Sequence, residues 1–164
     1  DAPAVQQFFP YWEIVRWLHA TVPWPFPADG AENNVRECLG QGARGEGIFW
    51  AICLTGSPDE LIGRINLRPD NGSRDQRGFW LASKFHGRGL MTEAAERVTE
   101  YAFLVLSWPH LWLTNAEGNA ASHRIKEKQG ETPVDRIPKQ YVFGECVEEV
   151  WLLSRKDWSE RHRT

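Results

Sequence analysis

The chain has 164 residues, of which 41% are hydrophobic and 25% are charged, and it contains nine tryptophans. This length and composition predict one folded domain over residues 1–164 and exclude a chain that is disordered over most of its length. The formal net charge of −3 argues against a general nucleic-acid-binding protein.

The sequence carries no pattern of a membrane protein, a secreted protein or a metal site. No run approaches the roughly 18 apolar residues of a membrane span, and no signal-peptide pattern opens the chain. Cys38, Cys53 and Cys146 are odd in number and widely spaced, which fits neither a zinc site nor a disulfide framework. We therefore expect a cytoplasmic protein without a metal and without membrane or nucleic-acid partners.

The first 47 residues predict two helices separated by an aromatic loop. Apolar residues recur at near-helical spacing over residues 4–18 but are interrupted by Pro10, which predicts a short or broken helix. The alternating prolines of residues 23–27 predict an extended loop. A second helix is expected over residues 31–39, and the glycine-rich run of residues 40–47 should end it.

Three consecutive strands are predicted next. Residues 48–54 and 61–67 read as a hairpin joined by a turn at residues 56–59. A second turn at residues 69–73 leads into a strand that ends near Ala82. Strands connected by such short turns can pair antiparallel.

The second half of the chain begins with the strongest helical pattern. Six apolar residues fall on one predicted face, namely Leu90, Ala94, Val98, Tyr101, Ala102 and Val105. A strand should start at His110, and Asn119 can cap a helix that runs through Gln129. The last strand pair is expected at residues 141–143 and 147–153, and residues 159–164 read as a tail.

Two closely spaced glycines stand between a strand-like run, residues 78–82, and the helix that begins at Leu90. Bare N–H groups there can face a diphosphate at the positive end of a helix. Neither a Walker loop nor a dinucleotide fingerprint is present. Together with a second motif at residues 119–122, the pattern predicts a coenzyme A pyrophosphate site. Positive charge would come from nearby segments that contain Lys84, Arg88, Arg124, Lys126 and Lys128, although a solvated surface charge is the preferred interpretation of most of them individually.

These segments resemble the general N-acetyltransferase (GNAT) superfamily, and within it the RimJ/RimL-type branch. The shared motifs are Gly78-Phe79-Trp80-Leu81, the run from His86 to Ala94, Asn119-Ala120-Ala121-Ser122, Glu127-Lys128-Gln129-Gly130, Val150-Trp151 and Trp158. The phosphate loop of that family, Gln/Arg-x-x-Gly-x-Gly/Ala, here becomes His86-x-x-Gly89-x-Met91, which departs at two of its three marked positions.

The resemblance implies an α+β fold with a central, mostly antiparallel mixed sheet flanked by helices. The family begins with a strand before its first helix, whereas this sequence starts in what reads as that helix's cap. We therefore count a missing first strand among the expectations.

The resemblance also implies a binding site for acetyl-CoA as co-substrate. The splayed end of the family's fourth strand would bind the pantetheine arm, here Trp80, Leu81, Ala82 and Ser83. The pyrophosphate would be held by His86, Gly87, Arg88, Gly89, Leu90, Met91 and Thr92. Asn119 and Ser122 would lie near the thioester. Each has a structural alternative: Asn119 as a plain N-cap, the glycines as turn residues and Trp80 as a core residue.

The implied reaction is direct acetyl transfer to a primary amine. Backbone donors near Leu81 and Ala82 would stabilise the oxyanion. Many family members have a tyrosine seven residues after the position of Asn119, where this chain has Lys126, so we assign Ser122 as a hydrogen-bonding relay to the thiolate. A cysteine-based ping-pong route is disfavoured.

The general base and the acceptor stay open at this stage. Glu145, Glu148 and Glu149 are base candidates, although a solvated carboxylate is the preferred interpretation of each. Trp24 and Phe26 line the acceptor pocket or are packing residues. The acceptor is a protein N-terminus or a small-molecule amine, and a homodimer is possible. The alternatives are a non-catalytic acyl-CoA-binding module and a transferase that uses another acyl donor, such as succinyl-CoA.

Overall fold

The computed structural model describes residues 1–162, which form six α-helices and six β-strands. The helices are α1 Ala2–Phe8, α2 Trp12–Val15, α3 Gly30–Ala43, α4 Leu90–Leu104, α5 Ala120–Gln129 and α6 Arg155–Arg161. The strands are β1 Ile48–Leu54, β2 Ser57–Leu67, β3 Arg77–Leu81, β4 His110–Ala116, β5 Thr132–Tyr141 and β6 Gly144–Ser154. The α+β class with antiparallel strands flanked by helices is confirmed. Among these residues the first strand is β1.

The first sheet contains the three consecutive strands that the sequence predicts, in the order β1-β2-β3. Both pairs are antiparallel, and Ile65 in the middle strand pairs with Trp50 on one side and Phe79 on the other. The hairpin turn is tighter than expected, because β2 already begins at Ser57 and leaves Thr55 and Gly56 between the strands.

The second sheet has the order β4-β6-β5 and is also antiparallel. The prediction of a short strand at residues 141–143 was wrong, because β5 covers Thr132–Tyr141. Pro133 and Pro138 prevented the prediction of this strand, because proline argues against a strand within a sheet. Within residues 1–162, β6 is the strand that pairs with β5, and the other edge of β5 carries an isolated bridge from His19 to Tyr141, at the end away from both prolines. Pro133 and Pro138 therefore do not interrupt a second ladder.

The two sheets are joined by hydrogen bonds near the N-terminal ends of β3 and β4. The Gln76 N–H donates to the Trp112 carbonyl at 2.8 Å, and the Trp112 N–H donates to Gln76 Oε1 at 2.9 Å. Among the described residues no ladder joins β3 to β4 beyond this junction. The expected single sheet is thus two sheets, and we call the region between residues 79–82 and 113–116, where β3 and β4 are not paired, the β3–β4 wedge.

The helices of the N-terminal region follow the predicted pattern with one correction. Pro10 lies between α1 and α2, so the broken helix is confirmed. The expected end of α3 near Gly40 was wrong, since α3 continues through Gly40 and Gly42 to Ala43. A glycine inside a helix costs only about 1 kcal/mol relative to alanine, which the rest of the helix can offset.

The predicted tail contains a helix, α6. Ser154 caps it by accepting from the Asp157 N–H at 3.0 Å, and the ring of Trp158 packs 5.4 Å from Phe103. This contact with the core explains the extra helix, so the tail prediction was wrong for residues 159–161. Residues 163–164, which belong to the same prediction, lie outside the described residues.

α1 and α3 cover one face of the first sheet, whereas α4 and α5 cover the other. Trp80 contacts Phe9 beside α1, while its neighbour Phe79 faces Lys126 of α5. The buried face of α4 differs in part from the predicted one and consists of Met91, Ala95, Val98, Thr99, Ala102 and Phe103. Val105 is 61% exposed. Apolar residues occupy two adjacent faces of this helix. Their spacing alone therefore did not determine which face is turned towards the core.

A buried ion pair joins three of these elements. Arg77 of β3 donates to Glu131 just after α5 at 2.7 Å, and both side chains are fully buried. The same guanidinium donates at 2.7 Å to Thr99 of α4 and to Gln129 of α5. Arg77 therefore holds β3, α4 and the C-terminal end of α5 together. No helix within residues 1–162 is long and apolar enough to span a membrane.

We predict that Arg77→Met lowers the free energy of unfolding by about 3–5 kcal/mol, because it leaves the Glu131 carboxylate buried without its cation. The double variant Arg77→Met/Glu131→Leu should recover much of this loss. Urea unfolding measures both. The matched control is Arg44→Met, which breaks an exposed pair with Glu46 and should leave the free energy of unfolding almost unchanged. Equal losses in Arg77→Met and Arg44→Met would contradict the assignment.

Candidate active site

The loop before α4 has the backbone that an anion site requires. Gly87 and Gly89 have φ angles of 73° and 78°, which are left-handed values that favour glycine. The first hydrogen bond of the helix runs from the Glu93 N–H to the Gly89 carbonyl at 3.0 Å. The N–H groups of Leu90, Met91 and Thr92 precede it and have no acceptor within the helix.

His86 fixes this loop to the end of β3. Its Nε2 lies 2.7 Å from the Leu81 carbonyl oxygen, which can only accept, so Nε2–H is the donor. The ring of His86 thus binds the strand end through Nε2, and its contact with pyrophosphate stays a prediction. The family has Gln or Arg at this position, and His86 is also a hydrogen-bonding side chain. In this chain the hydrogen bond of His86 positions the loop.

The end of β3 offers one main-chain donor to the β3–β4 wedge. The Ala82 N–H donates to the Ile62 carbonyl at 2.8 Å and is not free to stabilise an oxyanion. Successive peptide groups of a strand point to opposite edges, so the Leu81 N–H faces the wedge. Trp80 is buried with its ring 5.2 Å from Phe9, which matches its alternative interpretation as a core residue. Ser83 is exposed and starts a 3-10 turn.

The second predicted motif starts α5. Asn119 is half-buried, and its side chain accepts from the Ser122 N–H at 3.2 Å, so it is an N-cap. Ser122 is buried one turn into the helix. The cap fixes the serine, whose hydroxyl is left to interact with groups further along the helix.

Lys126 lies inside the protein, although the sequence suggested a surface cation near phosphate. Its side chain is 1% exposed, its Nζ is 2.9 Å from Ser122 Oγ, and it lies 5.9 Å from the ring centroid of Phe79. Burial lowers the pKa of Lys126 to about 8, and Arg77 acts in the same direction. Opposing charges on Glu131, Asp75 and Glu149 limit this shift.

The other predicted cations point elsewhere or into solvent. Lys84 lies over the ring of Phe8 at 4.3 Å and 3.9 Å from a Glu60 oxygen, so it packs on α1. Arg88 lies over Phe85 at 5.6 Å and is exposed. Arg124 and Lys128 are also exposed. Arg88 is the cation on the phosphate loop itself.

Glu148, one of the three base candidates, lies on the face of the second sheet away from α5, in a cluster whose other members the sequence did not reveal. Glu148 is 2% exposed and accepts from the Tyr141 hydroxyl at 2.8 Å, while His19 Nε2 lies 2.6 Å from the same carboxylate. Although burial alone would raise it, these two hydrogen bonds hold the pKa of Glu148 below its usual value. His19 and Glu148 are 129 residues apart, so no local pattern could have revealed the pair.

Asp75 is close enough to His19 and Glu148 for their charges to affect its pKa. Burial raises the pKa of the Asp75 carboxyl, and the Glu148 charge raises it further, against the opposing effects of His19 and a hydrogen bond from Thr114. This side of the sheet therefore holds two carboxyl groups with opposite pKa shifts.

Glu149 points to the other side of the same strand. It accepts from Asn115 Nδ2 at 2.8 Å and lies 2.9 Å from His123 Nδ1 of α5. These hydrogen bonds outweigh its burial and lower the pKa of Glu149. Glu145 is exposed and accepts from Gln140 at 3.0 Å, which fits a solvated carboxylate.

A cleft of about 430 Å³ lies beside His19. It is lined by His19, Ala20, Thr21, Pro138, Lys139, Gln140 and Glu145. Of the two residues predicted for an acceptor pocket, Phe26 packs 5.1 Å from Phe9, and Trp24 is 43% exposed and lies 5.6 Å from Trp12. Phe26 is thus a packing residue in this structure. Trp24 presents its ring to solvent.

Within residues 1–162 no group of three or more His, Cys, Asp and Glu side chains could hold a metal ion. All three cysteines are free thiols. Burial raises the pKa of the Cys38 and Cys146 thiols, which disfavours the thiolate that a ping-pong route needs.

The sequence profile of the acetyltransferase (GNAT) domain matches residues 1–132. The fold is similar to that of Mycobacterium smegmatis RimJ, whose structure contains a CoA disulfide, with a TM-score of 0.80 and 15% identity over 99% of this chain and 85% of that one.

Two Bacillus subtilis proteins are similar in sequence. YdaF, a candidate ribosomal N-acetyltransferase, is 31% identical over 84 residues, which are 51% of this chain and 45% of YdaF. YjcK, a candidate N-acetyltransferase, is 29% identical over 108 residues, which are 64% of this chain and 59% of YjcK. The matched segments thus span about half of these relatives.

We predict that Lys126→Met changes how stability depends on pH. The folded protein binds the Lys126 proton less tightly than the unfolded chain, so this residue makes stability rise with pH between about 8 and 10.5. The stabilisation by Lys126→Met should therefore be largest at pH 7, where the shift corresponds to about 3 kcal/mol, and should shrink towards pH 10.5.

Urea unfolding at several pH values measures this difference. Lys156→Met is the control, because Lys156 is exposed on α6 and its replacement should give no pH-dependent change. A difference between Lys126→Met and wild type that stays constant from pH 7 to 10 would contradict a lowered pKa.

Proposed function

The chain belongs to the acetyltransferase (GNAT) domain family, and from that membership we propose that it transfers an acetyl group from acetyl-CoA directly to a primary amine. The β3–β4 wedge is the observation that carries the proposal. Its rim combines a loop with free N–H groups before α4 and a buried Ser122 at the start of α5. Acetyl-CoA needs an anion site for its diphosphate and a narrow polar cleft for its pantetheine thioester.

The residues around the wedge fit acetyl-CoA as the co-substrate. The loop N–H groups of residues 87–92 and the exposed Arg88 would bind the diphosphate at the positive end of α4. Main-chain groups at the end of β3 would bind the pantetheine arm. The Leu81 N–H would donate to the oxyanion, since the Ala82 N–H is already bonded. Glu93 is exposed in the first turn and projects outward from the axis.

The acceptor would approach from the face that carries Glu148. An α-amino group has a reference pKa of roughly 8 and must lose a proton before it attacks the thioester. The anionic Glu148 would attract the ammonium and orient the His19 ring, and an imidazole can take up a proton near neutral pH. We therefore propose His19 as the general base and Glu148 as its positioning residue.

Protein N-termini are the first acceptors to test, because YdaF is named for ribosomal N-acetylation. Small-molecule amines remain candidates, with Trp24 on the exposed rim. We also propose the RimJ/RimL-type branch and a single domain over residues 1–164. The homodimer and the cytoplasmic location stay predictions. A non-catalytic acyl-CoA-binding module is the second candidate, because Lys126 occupies a position where the resemblance led us to expect tyrosine.

We predict that Gly89→Ala weakens acetyl-CoA binding at least about tenfold, because alanine strains the left-handed backbone that directs the loop N–H groups. Calorimetric titration measures the affinity. Gly45→Ala is the matched control, since Gly45 has a φ of 71° and an added Cβ there, as at Gly89, meets nothing within 4 Å. It should retain wild-type affinity.

Thiol release with a panel of free-amine peptides and polyamines then tests transfer. Amine-dependent release of CoA that falls in Gly89→Ala supports the transferase. Tight acetyl-CoA binding without release for any amine would support the binding module instead. Failure of the well-folded full chain to bind acetyl-CoA would exclude both functions.

We predict that His19→Gln lowers kcat at least about a hundredfold at pH 7 with little change in acetyl-CoA affinity, because it removes the base but leaves the wedge intact. Steady-state kinetics at saturating acetyl-CoA measures this. His110→Gln is the control, since His110 is partly exposed and pairs with Asp70 at 3.4 Å. Similar kcat values in the two variants would exclude His19 as the base.

A further inference from the structure

We propose that Ser122 and Lys126 form a proton-delivery pair, in which Lys126 supplies the proton that the departing CoA thiolate receives through the Ser122 hydroxyl. The inference rests on the proposed acetyl transfer and identifies the acid of that reaction. A serine hydroxyl alone is a poor acid, so a relay through Ser122 needs a proton source behind it.

The geometry fixes the direction of the relay. Lys126 Nζ lies 2.9 Å from Ser122 Oγ, four residues earlier on the same helix, where side chains face each other. An ammonium can only donate, so Oγ accepts, and its own hydrogen stays free to point to another acceptor. The Ser122 N–H is already bonded to Asn119, which holds the serine in place.

The surroundings leave the ammonium without a close counter-ion. Both side chains are buried, and among residues 1–162 no carboxylate oxygen lies within 4.0 Å of Lys126 Nζ. The charged groups that face it are Arg77 of β3, Glu131 after α5, Asp75 before β3 and Glu149 of β6. Burial is the dominant effect and lowers the pKa of Lys126 to about 8. Release of its proton near neutral pH is therefore easy.

The pair also points towards the wedge. Lys126 extends from α5 towards β3, where it lies over the Phe79 ring at 5.9 Å. Phe79 and Leu81 share the strand that forms one side of the wedge. A thiolate released between β3 and α5 would thus meet the Ser122 hydroxyl before solvent.

The proton steps balance. When the tetrahedral intermediate collapses, the carbon–sulfur bond breaks and its electron pair stays on sulfur. The sulfur takes the proton of Ser122 Oγ, and Oγ takes a proton from Lys126 Nζ, which becomes a neutral amine. The proton that the acceptor loses to the base and solvent restores the ammonium. A thiol has a pKa of about 8.5, so an acid of similar strength can protonate it without a large penalty.

The test is the pH profile of kcat at saturating acetyl-CoA and amine. In the wild type, kcat should fall above about pH 8, approaching tenfold per pH unit, because a neutral Lys126 cannot donate. Lys126→Met should lower kcat at least about thirtyfold at pH 7, abolish this alkaline fall and keep acetyl-CoA affinity within about twofold. Ser122→Ala should cause a similar loss, and the double variant should be no slower than either single variant, since the two act as a unit.

Lys126→Arg separates proton supply from positioning. A guanidinium keeps the charge and the hydrogen bond, but its pKa above about 12 prevents proton release. We expect it to bind acetyl-CoA and to remain as slow as Lys126→Met. Lys156→Met is the exposed control and should leave the profile unchanged.

Three outcomes would overturn the proposal. The first is a Lys126→Met variant that folds, binds acetyl-CoA and keeps both the wild-type kcat and its decrease above about pH 8. This result would show that Ser122 does not receive its proton from Lys126. Full activity in Lys126→Arg would show that Lys126 only positions the serine. Wild-type protein that binds acetyl-CoA but transfers nothing to any amine would instead remove the proposed acetyl transfer, and the role of the pair with it.

Discussion

The buried Arg77–Glu131 ion pair sets the geometry on which the candidate site depends. It joins the start of β3 to the residue that follows the C-terminal cap of α5, at the end of the β3–β4 wedge where the two sheets are hydrogen-bonded. The same helix, α5, carries Lys126, which lies over Phe79 of β3, and Ser122, which is one turn earlier and bonded to Lys126. Beyond the main-chain contact at Gln76, β3 and β4 are not paired, and the Arg77 side chain links β3 to the end of α5. The proposed site for the thioester is this unpaired region.

This arrangement buries three charged groups close together, namely Arg77, Glu131 and Lys126. Arg77 and Glu131 compensate each other, whereas Lys126 has only the more distant fields of several carboxylates. An apolar side chain would fill the position of Lys126 at a lower cost in stability at neutral pH, since a buried ammonium is expensive. Packing does not explain the lysine, but chemistry at the neighbouring serine does.

The features that the sequence predicted well are local ones. The glycines before α4 needed only a turn between a strand and a helix, and Asn119 needed only a helix start. β5 was missed because its prolines are tolerated at an edge that exists only after the sheet has formed. Lys126 was misplaced because an isolated helical lysine resembles a surface residue. The His19 pair with Glu148 joins distant segments, and no spacing rule could bring them together.

Neighbouring residues on β6 divide the chemistry between the two faces of the second sheet. Strand alternation sends Glu148 to His19 and Tyr141, and Glu149 to Asn115 and His123. Hydrogen bonds lower the pKa of both carboxyl groups, so both are anions at neutral pH and neither can serve as the acid. Glu148 suits the face where a cationic amine arrives. On the opposite face, where a thiolate would leave, the buried donor that remains is Lys126, and its hydrogen bond within residues 1–162 leads to Ser122.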